Sequence, residues 1–302
     1  MNGILIIDKP AGITSHDVVS RVRRILHTKR VGHTGTLDPF ATGVMVILVG
    51  QATRLAQFLD KDEKEYEALI QFGFETDTGD RTGNQKSAAI IQQTTSFEDV
   101  RSALDHFRGE IEQTPPMYSA KKIDGKKLYE LARKGETVDR KAVRVNISKL
   151  EIVSEPSAVA VGLTDPIDTV AIRVACSAGT YIRTLAEDIG RKIGIGAHLT
   201  ELRRIRAGKF NIGQSITLDN LSELDDPASV LVPMTDAVSH LSKLVLNEER
   251  ISKTRNGLST RIYDAIYSDG EAVSMNDEAG NVVAIGFFDA AENIVQPKVV
   301  LV

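Results

Sequence analysis

Cysteine is nearly absent from this chain: Cys176 is the only one in 302 residues, which excludes an intramolecular disulfide and fits a reducing compartment. The six histidines never fall into pairs with metal-ligand spacing, so neither a structural metal nor a metal cofactor is expected. No apolar run approaches the roughly 18 residues needed to span a bilayer. The start, MNGILIIDKPAG, has no basic segment ahead of its apolar one. A soluble, cytoplasmic protein is the expectation, with no membrane contact. Internal repeats and low-complexity tracts are missing too. Nor is there an excess of positive charge: 37 Lys and Arg stand against 41 Asp and Glu, a formal net charge of −4. That total speaks against a nucleic-acid protein, because phosphate binding is largely electrostatic.

The distribution of charge points the other way. Ser119 to Lys149 holds ten basic residues against four acidic ones, and Arg183 to Lys209 seven against three, whereas Phe210 to the end holds six against fourteen. Any phosphate contact must therefore come mainly from the middle of the chain, and Lys121, Lys122, Lys126 and Lys127 are the candidates. A basic run is usually only a solvated face; these two runs bracket the motifs described next. With 42% hydrophobic residues there is ample core material, and the length favours one large and one small domain.

The sequence is organised around Gly32 to Gly43, GHTGTLDPFATG. Its glycines permit tight backbone geometry, and Pro39 biases Asp38 towards an extended conformation. A carboxylate presented this way can cap a helix, hold a cation or act as a nucleophile. Turn statistics favour capping for such a residue taken alone; the amount of backbone restriction around it is best explained by a nucleophile.

Elsewhere the periodicities read simply. Ile4 to Ile7 predicts a buried strand ending at the DKPAG turn, and Thr14 or Ser15 caps a helix with Val18, Val19, Val22, Ile25 and Leu26 on one face. Val44 to Val49 predicts a strand, Ala52 to Leu59 a short helix, Tyr66 to Phe74 a strand, and ETDTGDRTG a polar, turn-rich connection. A helix is expected from Phe97 to Phe107, and strands at Val143 to Val153 and Ala171 to Ala175. The helix defined by Ile182, Leu185, Ala186, Ile189 and Ile193 stops at Gly194, which makes Thr180 its expected cap and puts Arg183 in its first turn. A cation there opposes the helix dipole, so Arg183 is expected to face a fixed anion, and Asp38 is the candidate. After Leu218 an acidic, turn-rich linker leads to short apolar runs at Ala272 to Met275, Val282 to Phe287 and Val299 to Val302, the pattern of a small β-barrel.

Four stretches in this order carry a resemblance: DKPAG with Lys9, Pro10 and Gly12; GHTGTLDPFATG; KEYEA with Tyr66; and SAGTYIRTLAEDIG from Ser177 to Gly190. Together they resemble the TruB family of tRNA pseudouridine-55 synthases over nearly the whole chain. Phe40 stands where the family usually has leucine, and Ala178 occupies a variable place often held by lysine. The resemblance implies an α+β pseudouridine synthase fold with a mixed, largely antiparallel sheet and flanking helices, plus a C-terminal PUA-like barrel. The implied division is a catalytic domain over 1–232, with an RNA-gripping thumb inserted at about 113–146, a linker at 233–244 and an RNA-binding module at 245–302. The implied partner is the T-arm of tRNA, met by a monomer.

The reaction so implied breaks the C1′–N1 bond of a uridine, rotates the base and rejoins it through C5, with no redox cofactor. It needs an anion able to attack carbon or stabilise a sugar cation, as carboxylates do in glycosidases. The resemblance assigns that role to Asp38, places Arg183 beside it, stacks Tyr66 on the target base as the candidate base for the C5 proton, and puts Leu202 on the pocket floor. Whether Asp38 attacks C1′ or C6, or promotes an elimination through a glycal, stays open. His33 is a planar group that can stack in the space left by an extracted base. Lys9 and Tyr181, which sit in two of the four motifs, are counted with the substrate-contacting residues, Lys9 also backing the loop with Pro10. A non-catalytic RNA-binding or RNA-folding protein, and a synthase acting on another RNA, are the alternatives.

Overall fold

In the computed structural model, which describes residues 1–60, 62–86, 95–123, 125–153, 167–263 and 266–301, the first apolar run becomes β1 (Gly3–Lys9). Leu5 and Ile7 join one core cluster and Ile4 and Ile6 another, so both faces are buried. This is why the run is unbroken rather than alternating. Thr14 opens α1 (Ser15–Ile25) with a reciprocal capping box to Asp17, and Val18, Val19 and Val22 pack on the Leu5 and Ile7 face. Next come β2 (Val31–Thr34) and β3 (Thr42–Val49), both antiparallel partners of other strands of the sheet. Gly32 and His33 are thus strand residues, and the constrained loop is shorter than the glycine pattern suggested. A 3-10 turn at Gly50–Leu55 followed by α2 (Ala56–Leu59) replaces the single expected helix.

Clean alternation defines β4 (Lys64–Phe72), with Lys64, Tyr66, Ala68, Ile70 and Phe72 facing inward. The strand ends two residues before the expected Phe74. The helix expected over Phe97 to Phe107 is α3 (Phe97–Leu104) with a 3-10 last turn, and Gly109, at φ 82°, turns the chain into β5 (Gly109–Gln113). The basic segment that follows β5 holds a short hairpin, β6 (Lys122–Ile123) with β7 (Lys126–Lys127), and α4 (Leu128–Ala132). The chain returns through β8 (Val143–Ile152) and β9 (Thr169–Cys176) to α5 (Ile182–Ile193), which Gly194 terminates at φ 95°. Finally β10 (Ala197–Ala207) and β11 (Phe210–Asn211) complete a nine-stranded sheet in the order β1-β3-β10-β4-β9-β8-β5, with β2 on β3 and β11 on β10. Among the described residues only the short β3–β10 pairing within this sheet is parallel, so the sheet is mixed and largely antiparallel as expected. Helices α3 and α5 cover the face that carries Tyr66, Ile70, Val170, Ile172 and Leu199.

Beyond the sheet, α6 (Leu218–Glu223) packs Leu218 and Leu221 onto the α1 cluster, and Val232 pairs with Ile4. The segment expected to be a linker contains α7 (Met234–Ala237) and starts β12 (Ser242–Val245); Ala237 and Val238 are buried in the core beneath β1 and β3. After α8 (Glu248–Arg255) follow β13 (Thr260–Arg261), β14 (Ala272–Asn276), β15 (Val282–Asp289) and β16 (Ile294–Val300). They pair as β12-β14-β15-β16-β13, and β12 and β13 do not meet, so among the described residues this is a half-barrel rather than a closed one. Val302, the expected end of the last strand, lies outside the described residues. Val282, Ile285, Val299 and Leu301 share one apolar cluster with Ile4, Val44 and Leu48. The two sheets therefore have a common core.

Candidate active site

The turn from Gly35 to Ala41 joins β2 to β3 and is held from three sides. Ser15, at the start of α1, donates through Oγ to the Leu37 carbonyl at 3.0 Å and accepts from the Leu37 amide at 2.9 Å. The Gly12 amide of the DKPAG turn donates to Pro39 O at 2.8 Å. Lys9 is fully buried, and its ammonium donates to the carbonyls of Pro10, Pro39 and Ala41 at 3.0, 3.2 and 2.7 Å. Two of these bonds go to the loop and the third to the DKPAG turn, so the ammonium ties the two turns together. Lys9 therefore backs the loop, as expected, and its side chain has no exposed surface in this structure. Burial pushes its pKa down to about 8, with Asp38 opposing and Arg204 adding to the shift.

So clamped, Asp38 presents its carboxylate to Arg183. Arg183 Nε lies 2.9 Å from Oδ2 and Nη2 lies 3.4 Å from Oδ1, a side-on contact. The guanidinium itself is nearly inaccessible. Nη1 donates to Thr78 O at 2.6 Å and lies 3.7 Å from Asp80 Oδ2, while Nη2 donates to Tyr118 O at 2.6 Å. Asp80 is held in turn by the Thr78 hydroxyl at 2.9 Å and by the Thr82 amide at 2.9 Å. A third of the Asp38 side chain remains accessible. Burial nevertheless raises its pKa above the ordinary carboxylate value; Arg183 opposes the rise, Asp80 adds to it, and Lys9 opposes it less.

The ion pair borders a cavity of about 240 Å³ lined by Leu37, Asp38, Tyr66, Tyr181, Arg183, Leu202 and Arg204 among others. Asp38, Tyr66, Arg183, Leu202 and Tyr181 are thus brought together. His33 is not: it stands half-buried on β2 outside this lining, and burial, with Arg204 and His16, lowers its pKa and favours the neutral ring. Thr180, the expected cap of α5, instead donates its hydroxyl to Ser177 O at 2.8 Å, and Tyr181 occupies the cap position without a side-chain bond. Lys122, Lys126 and Lys127 sit on the β6–β7 hairpin and Lys121 directly before it, all outside the lining. Lys122 and Lys127 are direct cross-strand neighbours, and Lys127 lies over the Tyr129 ring at 5.4 Å. Like charges set opposite each other destabilise a hairpin. An external anion would relieve that.

Three residues that hold the site together are not evident as such in the sequence. Asp80 lies in a stretch expected to be polar turn; its neighbour Gly79 has φ 75°, and a Cβ there would sit 3.3 Å from Arg183 Cβ, so the glycine lets the turn lie against α5. Arg204, on β10, is 1% exposed and donates to Val44 O at 2.7 Å and Gly35 O at 2.9 Å. It faces Tyr66 across the β4–β10 ladder and has no carboxylate in ion-pair contact among the described residues. Burial raises the Tyr66 phenol above its ordinary value, and Arg204 opposes that shift. Ser15 presents itself in the sequence only as a possible cap. Nothing local in LTELRRIR marks one arginine as the buried one; only the strand's alternation could have done so.

With this geometry in view, comparison with known proteins is decisive. Residues 23–182 match the model described as TruB family pseudouridylate synthase (N terminal domain), and 183–239 match the tRNA pseudouridylate synthase B C-terminal domain. The chain belongs to the TruB family of pseudouridine synthases. It is 41% identical over 309 residues to the tRNA pseudouridine synthase B of Bacillus pumilus (strain SAFR-032), spanning 100% of this chain and 98% of the relative. The enzyme of the same name from Bacillus subtilis (strain 168) is 38% identical over 309 residues, again spanning 100% and 98%. Among solved structures, a Cbf5-Nop10-Gar1 complex contains a chain with TM-score 0.74 and 26% identity, covering 99% of this chain and 85% of that one. An H/ACA RNP bound to a substrate RNA containing 2′-deoxyuridine also matches at TM-score 0.74, with 25% identity and the same coverage of 99% and 85%. The family models end at residue 239, so they do not describe the C-terminal half-barrel.

Proposed function

We propose that this protein is a tRNA pseudouridine synthase that isomerises uridine-55 of the T-arm. The observation that carries the reading is the buried, side-on Asp38–Arg183 pair bordering a cavity that also holds Tyr66 and Leu202. Relatives that match along the whole chain are named tRNA pseudouridine synthase B, which supports tRNA as the substrate.

Glycosidic cleavage at C1′ needs an ionised carboxylate, and burial works against one. Arg183 supplies the opposing charge, and its remaining donors are fixed on Thr78, Tyr118 and Asp80, so it need not reorganise during the reaction. The C1′–N1 bond breaks, N1 turns away, C5 bonds to C1′, and the C5 proton leaves while N1 regains one. Atoms and charge balance without a redox partner. Tyr66 stacks on the flipped base; its phenol is protonated in the resting site, and Arg204 opposite stabilises the negative charge that proton transfer through it would develop. Leu202 closes the pocket apolarly and Tyr181 adds an aromatic wall. A neutral His33 suits stacking in the vacated helix position.

The hairpin lysines of the 113–146 insertion grip the RNA backbone as a thumb on a catalytic domain of residues 1–232. The C-terminal half-barrel, 245–302, serves as a PUA-like RNA-binding module tethered through 233–244, and the protein works as a cytoplasmic monomer. Incubation with unmodified tRNA, followed by chemical adduct formation and primer extension, tests the reading. The expected stop is at uridine-55. A stop at another position or in another RNA class, or no stop together with intact RNA binding, would displace it.

A further inference from the structure

Gln113 ends β5, is 1% exposed, and stands where the basic insertion leaves the sheet. Its side-chain amide forms a reciprocal pair with the backbone of Tyr181: the Tyr181 amide donates to Gln113 Oε1 at 3.0 Å, and Gln113 Nε2 donates to Tyr181 O at 3.3 Å. Tyr181 is the cap residue of α5 and has no side-chain cap of its own. An exposed helix start would leave its amides to water, but here the Gln113 amide takes the capping residue's backbone. Two residues further on is Arg183.

The same entering segment touches Arg183 a second time. Five residues beyond Gln113, the Tyr118 carbonyl accepts from Arg183 Nη2 at 2.6 Å, on the nitrogen that also reaches Asp38. With Thr78 and Asp80 on Nη1 and Asp38 on Nε, every nitrogen of the guanidinium is engaged. Displacing the insertion root would take an acceptor from Nη2 and leave a buried donor unpaired, so the guanidinium would turn to compensate. That turn would spoil the side-on contact with Asp38.

We propose that Gln113 is a positioning residue that locks the root of the RNA-gripping insertion to the first turn of α5, so that the insertion's position is read directly at the Asp38–Arg183 pair. The lysines on β6 and β7 and the carbonyl on Arg183 belong to one short segment anchored by this amide. RNA engagement and chemistry are coupled through it. The inference rests on the proposed reading of Asp38 as the reactive carboxylate and of the insertion as the RNA grip.

Gln113→Leu keeps the volume and removes both hydrogen bonds. Under single-turnover conditions with saturating tRNA its rate should fall by about ten-fold or more, while tRNA affinity stays within about three-fold, because the residue is buried away from RNA. Gln113→Glu adds a readout that a purely structural role would not move. Protonated, it accepts from the Tyr181 amide and donates to the Tyr181 carbonyl as the native amide does; ionised, it sets a negative oxygen against that carbonyl. Its rate relative to wild type should therefore rise as pH falls from about 8 to about 6. A Gln113→Leu rate within about two-fold of wild type, or a loss confined to affinity, would overturn the proposal. A Gln113→Glu ratio that is flat with pH would do so as well, and that variant decides the matter alone if Gln113→Leu is insoluble. Failure of the wild-type protein to form pseudouridine would instead sink the functional reading and leave these ratios undefined.

Discussion

Burial raises the pKa of Asp38 while Arg183 opposes the rise, and the proposed role of its carboxylate sets two measurable outcomes against that tension. Asp38→Asn, nearly isosteric, should abolish turnover with tRNA affinity within a few-fold of wild type. It should also melt higher at neutral pH. A carboxylate whose folded pKa is raised contributes most to stability when protonated, and loses that contribution as pH rises through the folded value. The neutral amide escapes the loss, and an unchanged or lower melting temperature would contradict it. The pH–rate profile gives the second outcome. The acid limb should lie above the ordinary carboxylate value of 3.8 because Asp38 must be ionised, and an alkaline limb should appear near about 8 as Lys9 loses a proton and frees one of its three carbonyls. Between about 8 and 10.5 the unfolded chain holds the Lys9 proton that the native protein has lost, so this residue's contribution to stability rises with pH there. Activity falling while that stability contribution rises separates the site from unfolding; a flat rate across that range would refute the Lys9 role. The glycines and proline around Asp38 marked it as a constrained carboxylate, but its reading as the nucleophile came from the resemblance carried by four separate motifs, since turn statistics alone favour a cap. Asp80 and Arg204 were not legible, because each takes its role from residues more than 100 positions away; alternation along β10 could mark Arg204 as inward-facing but not name its partners.

At the level of elements, the site is a turn pinned between a helix start, a preceding turn and a buried lysine. Ser15→Ala removes one oxygen that both donates to and accepts from Leu37, leaving a buried amide and carbonyl without that partner. The cost should be about 1–3 kcal/mol of stability, with a fall in turnover, because Asp38 is the next residue. Chemical denaturation and single-turnover rates check both, and a stability loss with full activity would mean that the loop keeps its shape without this clamp. Strands such as β3 and β4 were legible from apolar runs and clean alternation. β2, β5 and β10 were hidden for physical reasons: Gly32 and His33 read as loop chemistry, β5 alternates glutamates along an outer strand, and β10 turns an arginine inward where alternation calls for an apolar residue. The half-barrel was legible as short strands with close turns, but its failure to close depends on which strands pair, and spacing does not carry that.

For the whole molecule, a net charge of −4 and a polyanionic substrate are reconciled by geography. Truncation is a poor probe of that geography, because removing 245–302 would strip Val282, Ile285, Val299 and Leu301 from the core they share with Ile4, Val44 and Leu48. Charge replacements keep the core and ask the question directly. Changing Lys121, Lys122, Lys126 and Lys127 to alanine should weaken tRNA binding and flatten its salt dependence, each lost phosphate contact lowering the log–log slope by about 0.7–0.9. Relief of the Lys122–Lys127 repulsion should leave the hairpin no less stable, so the loss cannot be ascribed to unfolding. Replacing Arg250, Lys253 and Arg255 on α8 is the matched control from the C-terminal part. Lys253 is already paired with Glu249 at 2.7 Å, and the surrounding chain is acidic, so these three should change the slope by less than the four hairpin lysines do. Binding measured across a salt series decides between them: a larger slope change from the α8 replacements would put the main electrostatic contact on the half-barrel and remove the basis for treating the β6–β7 hairpin as the grip.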